Sequence, residues 1–399
     1  MLRTLPYVAF LDLLRCIASA NGNWRLSRMK IAISANKAWN IANFRAGLIR
    51  ALQKAGYQVV ALAPPDDHVS QLKSIGCRFV PVPMDNKGTN PVADAALFLR
   101  YYRILRREKP RAFLGYTIKP NIYGSLAAHM LSIPVINNVS GLGTAFIRDT
   151  WVTQIARLLY RVALRSSRKV FFQNEDDRQL FLDLKLVEVE KTGLLPGSGI
   201  NLARFRPVEN RKAKEHPFRF LLAARLLYDK GVGEYVAAAR IVRRQRPHVT
   251  FALLGFLDAE NPTAIPRREI SRWVQEGIVE YLGTADDVRP YFAEADCIVL
   301  PSYREGTPRT LLEAAAMAKP IIATDVPGCR EVVDHGRNGL LCKPKDAEDL
   351  ARRMIEMIDM PTSRRLAMGA AGRKKMENEF DENIVTAAYL DTLRSICPH

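Results

Sequence analysis

From Met29 onward, short apolar runs alternate with longer stretches whose apolar side chains recur every three or four positions. Lys30–Ser34 (KIAIS) reads as a buried strand, residues 44–55 as a helix closed by Gly56, and residues 57–62 as the next strand. The same alternation continues through strands at 112–115, 134–138 and 169–172. Strands that are apolar on both faces, separated by helices, predict a parallel sheet covered on each side.

Between residues 196 and 207 glycine, proline and asparagine cluster, and a charged stretch follows at 209–215, so the linker is placed there. A second series then begins at 219–223 and continues with strands near 250–254, 279–282, 297–300 and 320–323. The fold class expected is α/β, with two doubly wound Rossmann-like domains: residues 29–205, then 206–399. A final helix at 382–394 is free to pack on either domain. No short repeat or low-complexity tract interrupts the pattern.

A chain of 399 residues is long enough for two hydrophobic cores, and 48% hydrophobic with 25% charged residues is the balance of a folded protein. The formal charge of +18 attracts polyanions without choosing among nucleic acid, anionic lipid and phosphorylated small molecules. Six dispersed cysteines form no C-x-x-C pair and no zinc-ligand spacing, which fits a reducing cytoplasm with neither disulfides nor a structural metal. No run of about 18 apolar residues is present to cross a bilayer as a helix. Residues 1–28 are apolar from Leu5 to Ala20, but Asp12 and Arg15 break the stretch and argue against a signal peptide. That extension is read as a translation start assigned too early, or as a short amphipathic segment.

The densest chemistry lies at 300–313, LPSYREGTPRTLLE. A strand ends near Leu300, and Thr307 with Pro308 reads as an N-cap and first-turn pair, so the loop meets ligand at the carboxyl edge of a sheet. Free amides at Gly306, Thr307 and the first helical turn would receive phosphate oxygens. Glu305 and Glu313 repel phosphate, but each would accept hydroxyl hydrogen bonds, one from a sugar and one from a ribose. The alternative is a pair of solvated surface glutamates. A second loop, at 223–231 (AARLLYDKG), follows the strand that opens the second series and carries Arg225 and Lys230. Two cations there would neutralise a diphosphate leaving group, or merely pair with Asp229 in solvent.

The first half carries fewer signals. Asn36 and Lys37 lie in the loop after the first strand, and Lys119 follows another strand, where it would meet donor or acceptor phosphates. Gly141 and Gly143 lack the third glycine and the acidic residue of a dinucleotide fingerprint, so nicotinamide binding is set aside and a turn that lets backbone approach a ligand is preferred. Arg157, Arg161 and Arg165 align at helical spacing, joined by Arg168 and Lys169, while Ile155, Leu158, Leu159 and Val162 form another face. Arg100, Arg103, Arg106, Arg107, Lys109 and Arg111 form a second basic cluster interleaved with Tyr101, Tyr102, Ile104 and Leu105. Such helices suit an anionic membrane surface, or else are ordinary surface helices with their apolar stripe in the core. No nucleic-acid-binding motif is present, and no nucleic-acid partner is expected.

The run from Glu305 to Glu313 matches E-G-x-P-x-x-x-x-E and resembles family 4 glycosyltransferases of the GT-B fold, two Rossmann-like domains facing across a cleft. The likeness covers most of the chain from Met29; it is strong in the second half and looser in the first, where the Gly-Gly pair and the His of many relatives are missing. It is nearest to bacterial enzymes that extend lipid-linked or surface oligosaccharides, including N-acetylgalactosaminyl- and galactosyltransferases of glycoprotein-glycan pathways. The resemblance implies a retaining hexosyltransferase with a UDP-sugar donor as substrate, no cofactor and no essential metal. It further implies that Glu313 holds the ribose, Glu305 the transferred sugar, and Arg225 and Lys230 the diphosphate. The acceptor implied is a polyprenyl-diphosphate-linked oligosaccharide, with the enzyme peripheral on the cytoplasmic face of the inner membrane. A sugar-nucleotide epimerase of the same fold is the alternative.

Overall fold

The computed structural model describes residues 29–85, 90–141, 151–208, 217–257 and 261–396. The N-terminal extension 1–28, the charged stretch 209–215 and Gly143 lie outside these residues. The chain forms two compact units. Among the described residues, the first takes the chain to Phe172, Arg178–Leu194, and everything from Thr386; the second takes Gln173–Asp177 and Leu195–Val385.

In the first unit, β1 (Lys30–Ser34), β2 (Gln58–Ala63), β3 (Arg78–Pro81), β4 (Ala112–Tyr116), β5 (Val135–Val139), β6 (Lys169–Phe172) and β7 (Thr192–Leu194) form one sheet. Its order is β3-β2-β1-β4-β5-β6-β7, and every neighbouring pair is parallel. The second unit contains β8 (Arg219–Ala223), β9 (Thr250–Leu254), β10 (Glu280–Tyr281), β11 (Cys297–Leu300), β12 (Ile321–Thr324) and β13 (Gly339–Cys342). They run parallel in the order β10-β9-β8-β11-β12-β13. Each unit is the doubly wound, Rossmann-like α/β layer structure that the apolar pattern predicts.

Why these segments are strands is visible in β8. Its side chains alternate between faces, so Phe220 and Leu222 join one apolar cluster with Val236, Leu253 and Val299, while Leu221 and Ala223 join another with Ile298, Leu312 and Ile321. A strand segment buried on both faces must be apolar, and here residues 220–223 are, while half-buried Arg219 opens the strand. The reversal of strand order places the carboxyl ends of β8 and β11 side by side, because these two strands are direct neighbours.

Two local expectations change. The helix read over 44–55 runs Ala46–Lys54 and is preceded by a further helix, Ala38–Phe44, from which it is separated because Arg45 leaves helical geometry (φ −126°, ψ 3°). Its guanidinium turns inward over the Tyr116 ring, 4.1 Å from the centroid. The helix after β11 begins at Arg309 with Pro308 as its N-cap, one residue later than expected, because the Thr307 hydroxyl is used elsewhere. The last helix, Glu382–Ile396, crosses from the second unit into the first, where Tyr389 is buried against Phe171 and its hydroxyl accepts from Asn138 Nδ2 at 3.2 Å. Among the described residues, no helix is long and apolar enough to cross a membrane.

Candidate active site

In the second unit, the loop after β8 turns through a short 3-10 segment, Tyr228–Lys230, and enters the Val232–Gln245 helix at Gly231. Gly231 has φ 71°, and a β-carbon there would lie 2.0 Å from the Pro301 carbonyl oxygen. Only glycine lets the β8 loop approach the β11 loop this closely. The contact is fastened by the Tyr303 amide, which donates to the Asp229 carbonyl at 3.0 Å. A third loop, after β12, closes in at Gly328 (φ 87°), whose β-carbon would sit 2.2 Å from the Gly306 carbonyl oxygen.

This convergence brings together two of the residues picked out in the sequence. Lys230 Nζ forms an ion pair with Glu305 Oε1, and both side chains are largely buried, at 18% and 12% exposure. The same carboxylate oxygen accepts the Ser302 hydroxyl at 2.7 Å. Ser302 is itself fully buried, and its carbonyl accepts from the Thr324 hydroxyl on the neighbouring strand. Glu305 is therefore held from two sides, by a cation from the β8 loop and a hydroxyl from its own loop. Arg225 lies exposed on the same β8 loop and makes no ion pair to a described residue.

Glu313 lies one helical turn beyond Arg309, whose Nε donates to Glu313 Oε1 at 2.9 Å. Arg309 also donates to the Ser198 hydroxyl at 3.1 Å and the Gly199 carbonyl at 3.2 Å. Burial pushes the Glu313 carboxyl above its ordinary range, and the Arg309 guanidinium opposes the shift. The two glutamates are thus not solvated surface carboxylates; each is sequestered and held by its own cation. Ser302, Thr324 and Arg309 were missed in the sequence. Only Arg309 left a local trace, its i,i+4 spacing from Glu313.

The Gly306–Thr307 turn differs from expectation. The Thr307 amide is not free for phosphate: it donates to Gln173 Oε1 at 3.1 Å, and the Thr307 hydroxyl donates to the Gln173 carbonyl at 3.1 Å. The Gly306 carbonyl accepts from Asn174 Nδ2 at 3.2 Å, and Arg304 pairs with Asp177. The segment Gln173–Asp177, which belongs to this unit, engages the Thr307 amide and hydroxyl and the Gly306 carbonyl because it packs directly against them.

In the first unit, Lys119 is already paired. Its Nζ lies 2.6 Å from Asp94 Oδ1, both side chains are largely buried, and Tyr123 donates to the other carboxylate oxygen at 2.8 Å. Lys37 is exposed at the N-cap of the first helix, and Asn36 precedes it half-buried. Gly141 has φ 119° and lies just past β5. Arg45, 4% exposed and stacked over Tyr116 at the carboxyl end of β4, is a buried cation that the sequence did not single out.

Of the basic surface residues, Arg161, Arg165 and Arg168 are exposed, whereas Arg157 and Lys169 are half-buried. On the Pro91–Glu108 helix, Tyr101, Ile104 and Leu105 are buried in the core, so that basic cluster flanks an inward-facing stripe. Asp287, in the acidic pair Asp286-Asp287, is bound by Arg289 at 2.7 Å. Among the described residues, no group of three or more His, Cys, Asp or Glu is placed to hold a metal ion.

Comparisons with known proteins agree with this layout. Residues 41–197 match the family model described as "Glycosyl transferase 4-like domain", and residues 217–360 match "Glycosyl transferases group 1". The chain is 28% identical over 378 residues to the N,N'-diacetylbacillosaminyl-diphospho-undecaprenol alpha-1,3-N-acetylgalactosaminyltransferase of Campylobacter jejuni, covering 91% of this chain and 97% of that protein. It is 23% identical over 350 residues to the capsular polysaccharide biosynthesis glycosyltransferase CapM of Staphylococcus aureus, covering 85% and 90% respectively. Among solved structures, Anabaena HepE in complex with UDP-glucose superposes with a TM-score of 0.77 at 18% identity, covering 92% of this chain and 100% of that one.

Proposed function

Because the chain belongs to the family 4 glycosyltransferases of the GT-B fold, we propose that it moves a hexose or N-acetylhexosamine from a UDP-sugar to a polyprenyl-diphosphate-linked acceptor, with retention of anomeric configuration. The observation that carries this reading is the Lys230–Glu305–Ser302 arrangement at the carboxyl edge of the second sheet. The Campylobacter jejuni relative, whose name specifies a diphospho-undecaprenol acceptor, supports the acceptor class.

In this mechanism Lys230 exchanges its carboxylate partner for the donor diphosphate, joined by the exposed Arg225. The two cations oppose the charge that grows as the bond from the anomeric carbon to the phosphate oxygen breaks, so they stabilise the transition state more than the ground state. Glu305, released on one side and still held by Ser302, accepts hydroxyl hydrogen bonds from the transferred sugar. Glu313 accepts from the ribose hydroxyls, with Arg309 fixing its orientation. The acceptor oxygen bonds to the anomeric carbon on the face the diphosphate leaves, and its proton passes to the departing phosphate oxygen. Arg225 and Lys230 supply the positive charge, and no metal or cofactor is assigned. The enzyme works as a peripheral protein on the cytoplasmic face of the inner membrane.

The test is UDP release by the full chain across a panel of UDP- and GDP-sugars, with and without lipid-diphosphate acceptor. Acceptor-dependent UDP release, reduced at least tenfold by Glu305→Ala and by Lys230→Ala with folding intact, is the expected result. Interconversion of UDP-sugars without acceptor would instead identify an epimerase, and full activity of both variants would refute the assignment of roles.

A further inference from the structure

The helix Trp151–Arg165 presents two apolar faces, and only one is used by the fold. Thr153, Tyr160, Ala163 and Leu164 point inward and are at most 2% exposed. At 100° per residue, Ile155, Leu158 and Val162 fall on a separate line, and they are 48%, 58% and 52% exposed. A helix whose core-facing stripe is already buried has no folding reason to carry three large aliphatic side chains in water. Along the flank of that line, Arg161 and Arg165 are also exposed, followed by exposed Arg168. No Asp or Glu occurs anywhere from Trp151 to Lys169.

We propose that this face docks the chain on a bilayer containing anionic phospholipid, with Ile155, Leu158 and Val162 entering the boundary between headgroups and acyl chains and Arg161, Arg165 and Arg168 lying among the phosphates. Charge complementarity selects this occupant: an aliphatic line bordered by arginines, on a helix that carries no acid of its own and with Glu188 near Arg165 already paired to Lys191, matches a surface that is apolar within and negative at its rim. The inference deepens the reading that the acceptor is anchored in a membrane, but rests on its own observation of exposed side chains.

The experiment is co-sedimentation of the full chain with phosphatidylglycerol–phosphatidylcholine vesicles and with phosphatidylcholine alone. Wild type is expected to bind the anionic vesicles and to weaken as salt is raised. The variant I155S/L158S/V162S should bind at least tenfold more weakly, and R165Q/R168Q about fivefold more weakly per arginine, with unchanged thermal unfolding because all five side chains are exposed; Arg161 is left intact because its guanidinium donates to the Leu184 carbonyl at 3.0 Å. Wild-type affinity in the triple-serine variant, or equal binding to neutral vesicles, would overturn the proposal. So would a wild-type dimer that the triple variant converts to monomer without loss of vesicle binding, since the face would then belong to a second copy. Transfer to an acceptor carried on a short, water-soluble lipid separates the two readings: the variants should retain it, whereas its absence in wild type would count against the glycosyltransfer reading and leave docking intact.

Discussion

Replacing Ser302 by alanine isolates what holds Glu305 in place. The hydroxyl is fully buried and donates to a carboxylate that is itself 12% exposed, 2.7 Å away. A hydrogen bond to a charged group contributes about 1.5–3 kcal/mol net. Lys230 remains on the same oxygen and compensates in part, which places the expected loss near the lower end, about 1.5–2 kcal/mol. The substitution removes one oxygen from an already small side chain, so cavity formation adds little. At about 2–4 °C per kcal/mol for a unit of 150–250 residues, the transition that reports the second unit should fall by about 3–8 °C in calorimetry. Freed from Ser302, the carboxylate loses its fixed position, and transfer should slow roughly ten- to hundredfold. The decisive measurement is a double-mutant cycle with Glu305→Ala, in which Ser302→Ala should become nearly silent, giving a coupling of about 1.5–2 kcal/mol. Additivity within about 0.3 kcal/mol would show that Ser302 does not act through Glu305, and the argument would fail.

Three further outcomes are expected. Because burial raises the Glu313 carboxyl above its ordinary 4.5, the folded state holds that proton more tightly than the unfolded chain, so its contribution to stability declines as pH rises from about 4.5 through the raised value. Glu313→Gln should flatten this decline in thermal unfolding measured from pH 5 to 8 while cutting transfer at least tenfold; an unchanged pH profile would contradict the assignment. Gly231→Ala, which places a β-carbon 2.0 Å from the Pro301 oxygen at φ 71°, should cost more than the roughly 1–2 kcal/mol of left-handed backbone alone, seen as a lowered midpoint in urea. Lys119→Met should destabilise the first unit by about 3 kcal/mol by leaving Asp94 buried and unpaired, with most of that loss recovered in Lys119→Met/Asp94→Asn and no change in the KM for the donor.

Much of the architecture was readable without coordinates, and the reason is local. Lys30–Ser34, Arg219–Ala223, Thr250–Leu254 and Cys297–Leu300 emerge at the limits expected, because a strand buried on both faces announces itself by a run of consecutive apolar residues. Arg78–Pro81, Thr192–Leu194 and Gly339–Cys342 escaped notice; all three are short and lie at sheet edges, and the first two are only partly buried, so their pattern is weak, whereas Gly339–Cys342 is buried but only four residues long. The spacing of Glu305 and Glu313 was likewise legible, since it is set within one loop and one helix.

Relations between distant segments were not. Lys230 and Glu305 are 75 positions apart and meet only because β8 and β11 are neighbours in the second sheet. Lys119, a candidate phosphate ligand by position, is consumed by Asp94, 25 residues earlier. Leu97, Tyr101, Ile104 and Leu105 of the Pro91–Glu108 helix face the core while Ile155, Leu158 and Val162 face solvent, although both helices carry aliphatic and basic residues at similar spacing. The order of residues along the chain sets which segments become strands and helices and which chemical groups each loop carries. Which charge meets which, and which apolar face is left over, depends on strand adjacency and packing, because ion pairing and burial are decided by distances in space that no local pattern encodes.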